Sequence, residues 1–300
     1  MNESRMTVIR HPNATEFLSA ATKLLEANEA GNNLILGLAG RLARADAPTD
    51  KPAVMMSIGS GDDCQGAAFM TPPRPALIYL EARASREPLD ALVQALLACG
   101  QPVSGGIVPG YCANHLLDVW RQRMNQSLAL KRPLRAFELR RVAFPRDVPG
   151  RPRLAQEADV DLVADWLLRF VRELDEPGDA ESTRKTAVQG IADRHMLLWE
   201  DGGQPVSQAL VARPTRRGTC IAVVYTPPDR RGHGYASACV AALSQRLLDE
   251  GREFVCLYTD RGSPVPNRIY PRVGYAPVMD WEHYEVRQDE HSVAHTGGHS

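Results

Sequence analysis

The sequence predicts a two-lobed α/β protein. Its 300 residues are long for one hydrophobic core and ample for two domains of ordinary size. Apolar periodicity alternates along the chain between helical and strand spacing. The resulting order occurs twice: two helices, three strands, a helix, a strand, a helix and a strand. Pro145, Pro149, Gly150 and Pro152 cluster between the two runs. An internal repeat of about 140 residues is therefore expected, with lobes over 1–148 and 149–287.

Each element has its own signal. Residues 14–45 read as two helices, with Phe17, Leu18, Ala21, Leu24 and Leu25 at helical spacing and Gly31 as a stop. Short β-type runs follow at 53–58, 66–70 and 76–80, the first two joined by the turn-rich residues 59–63. Residues 88–99 read as a helix stopped by Gly100, 103–108 as a strand, 111–124 as a helix and 134–144 as a long strand. Beyond the prolines, an amphipathic helix over 159–174 carries Leu162, Trp166, Phe170 and Val171, and a second helix covers 183–194. Strands follow at 196–199, 206–212 and 220–225. The helix over 234–250 sets Ala236, Val240, Leu243 and Leu247 in one stripe and ends at Gly251. Residues 254–258 read as a buried strand, 265–272 as a short helix and 284–286 as part of a closing strand. The polar stretch 288–300 is expected to be a disordered tail whose His291, His295 and His299 are solvated.

Composition narrows the function classes. With 44% hydrophobic residues, 24% charged residues and a formal net charge of -1, nothing drives the chain toward nucleic acid or an anionic membrane. Met1 to Met6 lead into no apolar h-region, and the most apolar early stretch, 34–39, is too short to span a bilayer. A cytoplasmic protein is expected. Cys64, Cys99, Cys112, Cys220, Cys239 and Cys256 form no C-x-x-C pair, which favours reduced core thiols over a disulfide framework or a metal site.

The most informative stretch runs from Val223 through Pro227, Pro228, Arg230 and Arg231 to Gly232-His233-Gly234-Tyr235-Ala236. An apolar strand breaks at two prolines and passes through glycine into a helix. Such a loop presents backbone N–H groups and a positive helix end to an anion, and a diphosphate is its natural occupant. The corresponding turn of the first lobe, 81–88, has no glycine and carries Glu81 and Glu87, so no diphosphate is expected there.

Arg231-Gly232-His233-Gly234-Tyr235-Ala236 matches R-x-x-G-x-A, and about thirty residues later, after a helix and a strand, comes Asn267-Arg268-Ile269-Tyr270-Pro271-Arg272-Val273-Gly274-Tyr275. In this order and spacing they resemble the acyl-CoA signature of the GNAT superfamily of N-acetyltransferases, over roughly residues 151–287. Rossmann and P-loop signatures fit worse, since neither G-x-G-x-x-G in a βαβ context nor Gly-Lys-Ser/Thr is present.

The resemblance implies an α+β type of fold, each lobe a mixed, mainly antiparallel twisted sheet flanked by helices, with the first lobe a degenerate copy. It implies acetyl-CoA as co-substrate and no metal. The strand through Val224, Tyr225 and Thr226 would splay from 254–258 and receive the pantetheine arm as an added strand. Main-chain amides of Arg231, Gly232, His233, Gly234, Tyr235 and Ala236 would hold the pyrophosphate, with Arg230 or Arg231 adding charge. A main-chain N–H near Tyr225 would stabilise the oxyanion. Tyr270, by itself readable as a core tyrosine, would be the general acid for the departing thiolate. Asn267, by itself readable as a turn cap, would touch the cofactor.

Two positions depart from the family pattern. Ser263 stands where the family often has Asn, a plausible cap with a shorter reach, and Pro271 is expected to end or kink the helix. The general base stays open among Glu200, Asp201, Asp260, His233, a water relay and an amine that arrives neutral. Glu173, Asp175, Glu176, Asp179 and Glu181 make either a solvated acidic loop or a wall for a cationic amine. The expected function is transfer of acetyl to an amine, on a small molecule or a protein, by direct attack. The alternative is a non-catalytic acyl-CoA-binding or sensing protein. An unrelated first lobe would show a different strand order.

Overall fold

The computed structural model describes residues 6–44, 53–60, 63–82 and 84–287. The expected tail 288–300, Gly61 and Asp62 of the expected turn, and Arg83 lie outside the described residues. Strand β1 is Thr7–Arg10, followed by α1 Ala14–Glu26, α2 Asn33–Arg44, β2 Val54–Ser60, β3 Asp63–Met70 and β4 Ala76–Leu80. Then come α3 Glu87–Leu97, β5 Gly105–Pro109, α4 Ala113–Met124 and β6 Leu128–Leu139. The same order returns as β7 Arg151–Leu154, α5 Val160–Glu173, α6 Ala180–Ala192, β8 Met196–Asp201, β9 Gln204–Val211 and β10 Gly218–Tyr225. It closes with α7 Tyr235–Asp249, β11 Phe254–Asp260, α8 Pro264–Val273 and β12 Ala276–Val286.

The chain forms two compact units, one of Met1–Leu24, Leu42–Pro133 and Trp281–Ser300, the other of Leu25–Arg41 and Leu134–Asp280. In the first, β1, β2, β3 and β4 pair antiparallel in turn, β4 pairs parallel with β5, and β5 antiparallel with β12. In the second, β7, β8, β9 and β10 pair antiparallel in turn, β10 parallel with β11, and β11 antiparallel with β6. The two sheets thus share order and direction, mixed and mainly antiparallel, against the reading of an unrelated first lobe.

The closing strand of each sheet comes from the other half of the sequence. Leu134 to Leu139 lie along Asp260 to Val255, and Trp281 to Glu285 along Pro109 to Gly105. Alternating apolar residues specify a buried face but not a partner. The prolines at 145, 149 and 152 lie inside the second unit.

Helices cover the sheets through apolar stripes. In the first unit, Leu89, Leu92 and Leu96 of α3 and Leu116 and Trp120 of α4 pack on Val54, Ile58 and Ile78. In the second, Val240, Leu243 and Leu247 of α7 pack on Phe137, Leu139, Val255 and Leu257, with Tyr270 and Tyr275 in the same cluster. Neighbouring strand residues point to opposite faces, so Leu198 and Leu210 meet Val163, Trp166 and Leu167 of α5 on the other side. Each such side chain stabilises the fold by about 1.5–3 kcal/mol relative to exposure.

Some elements differ from expectation. β7 contains Pro152, which a strand tolerates at a sheet edge. β6 starts at Leu128 instead of 134 and runs through Pro133, and its ladder to β11 begins at Leu134, just past the residue without an N–H. The first helix stops at Glu26 rather than near Gly31, where the Asn32 side chain donates to the Leu25 carbonyl at 3.0 Å.

Residues Leu25–Arg41 are bound into the second unit by polar contacts. The Glu29 carboxylate, 3% exposed, accepts from Arg217 Nε at 2.6 Å, from the Arg217 amide at 2.8 Å and from the Gly218 amide at 3.3 Å. The Tyr258 hydroxyl donates to the Gly31 carbonyl at 2.8 Å. Asn33 donates to the Arg213 carbonyl at 3.0 Å and accepts from Arg213 Nε at 3.2 Å. Burial pushes the Glu29 carboxyl up, but the hydrogen bonds of Arg217 and Thr215 and the charge of Arg217 outweigh it and hold the group below its ordinary 4.5.

Two outcomes are expected. A chain cut between 148 and 149 leaves the second lobe without Leu25–Arg41 and without β6, and the fragment 149–287 should show no cooperative thermal transition by circular dichroism. Because the folded pKa of Glu29 is depressed, its contribution is complete above the unfolded value and lost as pH falls through the folded one. Glu29→Gln should lower stability by about 2–3 kcal/mol at pH 7. Urea midpoints should converge with those of wild type as pH drops below about 4.

Candidate active site

The site is built where β10 leaves β11. These parallel strands pair at Gly218–Phe254, Thr219–Val255 and Cys220–Cys256 and, among the described residues, at no later position. From Leu257 onward β11 continues along β6. β10 meanwhile bulges: Ala222 lies opposite Leu210 and Tyr225 opposite Gln208, three steps against two. Val223 sits in the bulge at φ 51, an outlier for a β-branched residue that costs on the order of 1–3 kcal/mol and commonly marks a functional backbone. The extra residue re-aims the strand, so that Ile221 and Val224 face the α7 cluster and Val223 and Tyr225 the α5 cluster.

The end of β10 is pinned through its carbonyls. Ser207 Oγ donates to the Tyr225 carbonyl at 3.1 Å, Thr226 Oγ1 donates to Ser207 Oγ at 2.9 Å, and Arg231 Nε donates to the Thr226 carbonyl at 2.9 Å. The Tyr225 ring packs against Trp166, centroids 6.0 Å apart.

The loop that follows is an amide-rich turn. Gly232 and Gly234 take φ 85 and 82, a region open to glycine and strained for other residues. A Cβ on Gly234 would also come within 2.9 Å of Val148. The main-chain N–H groups of Gly232, His233, Gly234, Tyr235, Ala236 and Ser237 meet no acceptor among the described residues. Six unclaimed donors at the start of a helix fit a polyanion such as a pyrophosphate. The side chains serve the loop itself. Arg231 makes a two-point pair with Glu173 at 2.7 and 2.8 Å, His233 stacks on Tyr235 with centroids 5.4 Å apart, and the Tyr235 hydroxyl donates to Asp201 at 2.5 Å.

Tyr270 lies beside the opening. Its ring is 6.3 Å from that of Phe137, whose register partner Leu257 is the first β11 residue past the last β10 pair. The tyrosine is 7% exposed, and its hydroxyl meets no acceptor among the described residues. Burial first, and then the nearby Cys220, push its pKa up, so it holds its proton at neutral pH.

Pro271 neither ends α8 nor leaves it unsupported. The helix continues to Val273, because Tyr275 N–H reaches the Tyr270 carbonyl at 3.1 Å and Gly274 N–H the Pro271 carbonyl at 3.2 Å, with Gly274 at φ 109. This glycine closure secures the last turn. Ser263 precedes the helix without a side-chain cap bond, and Pro266, at the third helical position, has no N–H to donate to its hydroxyl. The loop is tied by Asn267, whose amide donates to the carbonyls of Asp260 at 2.8 Å and Ser263 at 2.6 Å and accepts from Thr259 at 3.0 Å.

The open base candidates have partners of their own. Glu200 pairs with Arg153 at 2.5 Å, Asp201 with Tyr235, and Asp260 Oδ1 accepts from the Gly262 amide at 2.7 Å. In the acidic loop, Glu173 holds Arg231 and Asp179 caps α6 through the Ser182 amide at 2.7 Å. Sequence reasoning missed Ser207 and the Glu173–Arg231 pair, which meet only through folding. Among the described residues no group of three His, Cys, Asp or Glu side chains is arranged to hold a metal, and no helix is long and apolar enough to cross a membrane.

In the first lobe the matching strands, β4 and β5, pair at only two positions, Ala76–Gly106 and Leu77–Ile107. There the Tyr111 hydroxyl donates to the Leu80 carbonyl at 2.6 Å, and α3 opens with Glu87 and Asp90 in its first turn. Carboxylates already complement that helix end.

Residues 160–275 match the model of the acetyltransferase (GNAT) family. Among curated proteins none matches the chain. A GCN5-related N-acetyltransferase from Sphaerobacter thermophilus is similar in structure, at 17% identity and a TM-score of 0.60 over 95% of this chain and 97% of that one. A GNAT-family acetyltransferase from Colwellia psychrerythraea is 11% identical, with a TM-score of 0.59 over 94% and 100%. A tandem GNAT protein from the clavulanic acid biosynthesis pathway is 13% identical, with a TM-score of 0.55 over 93% and 98%. At these identities the likeness is one of fold, and it spans both lobes. The chain thus has the GNAT fold over nearly its whole length, and within it residues 160–275 match the acetyltransferase (GNAT) family.

Proposed function

We propose that the second lobe transfers acetyl from acetyl-CoA to an amine by direct attack. The observation that carries this reading is the early parting of β10 and β11 beside a glycine turn with six unclaimed amides. The parted strands leave main-chain groups for the amide-bearing pantetheine arm, and the amides of Gly232 through Ser237 serve its pyrophosphate, that of Arg231 being taken by the Pro228 carbonyl at 3.4 Å. Val224, Tyr225 and Thr226 line the arm. Arg231 shapes the loop through Glu173, and Asn267 supports the site by holding the turn before α8.

The acceptor nitrogen attacks the thioester carbonyl, and an N–H of the bulge near Tyr225 meets the oxyanion. The carbon–sulfur bond then breaks, Tyr270 gives its proton to the leaving thiolate, and the nitrogen releases its extra proton to water. Since the candidate carboxylates are engaged in their own pairs, the amine enters neutral or loses its proton through water. The first lobe, where the Tyr111 hydroxyl takes the Leu80 carbonyl and whose helix end carries carboxylates, acts as a support that binds no acyl-CoA. The acceptor is a small-molecule or protein amine, and the protein works in the cytoplasm without a metal.

An amine panel followed by CoA release tests the assignment. Tyr270→Phe should lower kcat by about 10²-fold or more while calorimetry shows acetyl-CoA affinity within about twofold of wild type. Binding with no turnover across the panel would identify an acyl-CoA-binding protein instead. Gly234→Ala, forced into a left-handed backbone, should lose about 1–2 kcal/mol of stability and most of its acetyl-CoA affinity, read by thermal shift and calorimetry.

A further inference from the structure

Cys220 and Cys256 take no part in the chemistry above. They are the last register pair before β10 and β11 separate, and both are fully buried. Paired Cα atoms on neighbouring strands lie about 4.7–4.9 Å apart, inside the span of about 4.4–6.8 Å that a disulfide bridges. Arg213 Nη2 donates to Cys220 Sγ at 2.9 Å, and the Cys220 thiol, when it carries its proton, donates to the Ile221 carbonyl at 3.4 Å.

The guanidinium of Arg213 has an unusual set of partners. Besides the sulfur it meets the neutral Asn33 Oδ1 at 3.2 Å and the Tyr258 ring at 5.8 Å, and no carboxylate lies within ion-pair distance among the described residues. A cation reaching into a buried cluster needs a compensating charge, and the Cys220 sulfur is placed to carry it. The neighbouring Cys256 thiol, together with the Arg213 charge, lowers the Cys220 pKa against the effect of burial. Burial, together with the neighbouring Cys220 sulfur, raises Cys256. Arg213, whose side chain donates to the Cys220 sulfur, marks Cys220 as the nucleophile and leaves Cys256 as the resolving thiol.

We propose that Cys220 and Cys256 form a redox-active dithiol at the vertex of the groove, which a hydroperoxide oxidises to a disulfide that weakens acyl-CoA binding. The effect on binding rests on the function proposed above. In the first step the Cys220 thiolate attacks an oxygen of the hydroperoxide, the O–O bond breaks, and the departing oxygen takes a proton, leaving a sulfenic acid. The Cys256 sulfur then attacks the sulfenic sulfur, the S–S bond forms, and water leaves with the Cys256 proton. Two thiols are oxidised and the hydroperoxide is reduced to an alcohol, or to water, with one further water formed. The disulfide removes the charge that Arg213 meets and forces the strand spacing toward the wider separation of about 5.5–6 Å that a disulfide prefers, where the groove begins.

The test uses the full chain with Cys64→Ser and Cys99→Ser, which removes the two partly exposed thiols. After hydrogen peroxide, non-reducing peptide mapping should find the Cys220 and Cys256 peptides linked. Calorimetry should show acetyl-CoA affinity reduced by about tenfold and restored by dithiothreitol. With Cys256→Ala added, dimedone should trap a sulfenic acid on Cys220 and the affinity should not respond to dithiothreitol. Unlinked peptides after complete peroxide treatment overturn the dithiol, and linked peptides with unchanged affinity overturn its coupling to the groove. If the reduced protein binds no acetyl-CoA, the function proposed above and the coupling built on it both fall, while peptide mapping still decides the dithiol.

Discussion

Two parallel strands that pair for three residues and then part impose a condition on everything around them: each main-chain group freed by the parting needs another partner or a ligand. β6, a strand drawn from far back in the sequence, holds the other edge of β11 throughout, so the edge that faced β10 pairs with no strand past Cys256 among the described residues. β10 meets the condition with a bulge and with bonds from Ser207 and Arg231 to its last carbonyls. What remains unclaimed is the parted edge and, beside it, the amides of the glycine turn. The site is thus the part of the fold that the fold itself leaves unpaired, and Val223 holds strained backbone at that point.

The two lobes show how little separates a working cradle from a closed one. Both have the strand order, the parallel pair and the helix that follows it. In the second, glycines at positive φ keep donors available; in the first, Glu87 and Asp90 occupy the equivalent helix end and a tyrosine hydroxyl takes a strand carbonyl. Topology is therefore shared while the electrostatics are opposite. A helix terminus can be complemented once, and in the first lobe its own side chains already do so.

Much of this was legible in the sequence, for physical reasons. Leu243 and Leu247, or Leu92 and Leu96, recur at helical spacing because one face of each helix is buried, and Gly232 and Gly234 announce a backbone that other residues resist. The motif around Tyr270 placed it beside the groove although its neighbour Phe137 lies over a hundred residues away. Pro271 did not end the helix although it stands inside α8, because Gly274 closes the last turn just beyond it. Glu29 was invisible: a lone carboxylate after a helix carries no pattern, and its value lies wholly in Arg217, which only folding brings near. The provenance of β6 and β12 was equally hidden, since a strand's periodicity records which face is buried and nothing about which edge it joins.

That provenance bears on how the chain is made. As it leaves the ribosome, the first unit lacks the strand from Trp281 onward that closes its sheet, so β5 presents an unpaired edge through the synthesis of the entire second half. Exposed strand edges invite pairing with other chains. Translation of Trp281 to Glu285 is therefore also the step that conceals the edge, and a ribosome stalled before Trp281 would display the first unit in its most association-prone form.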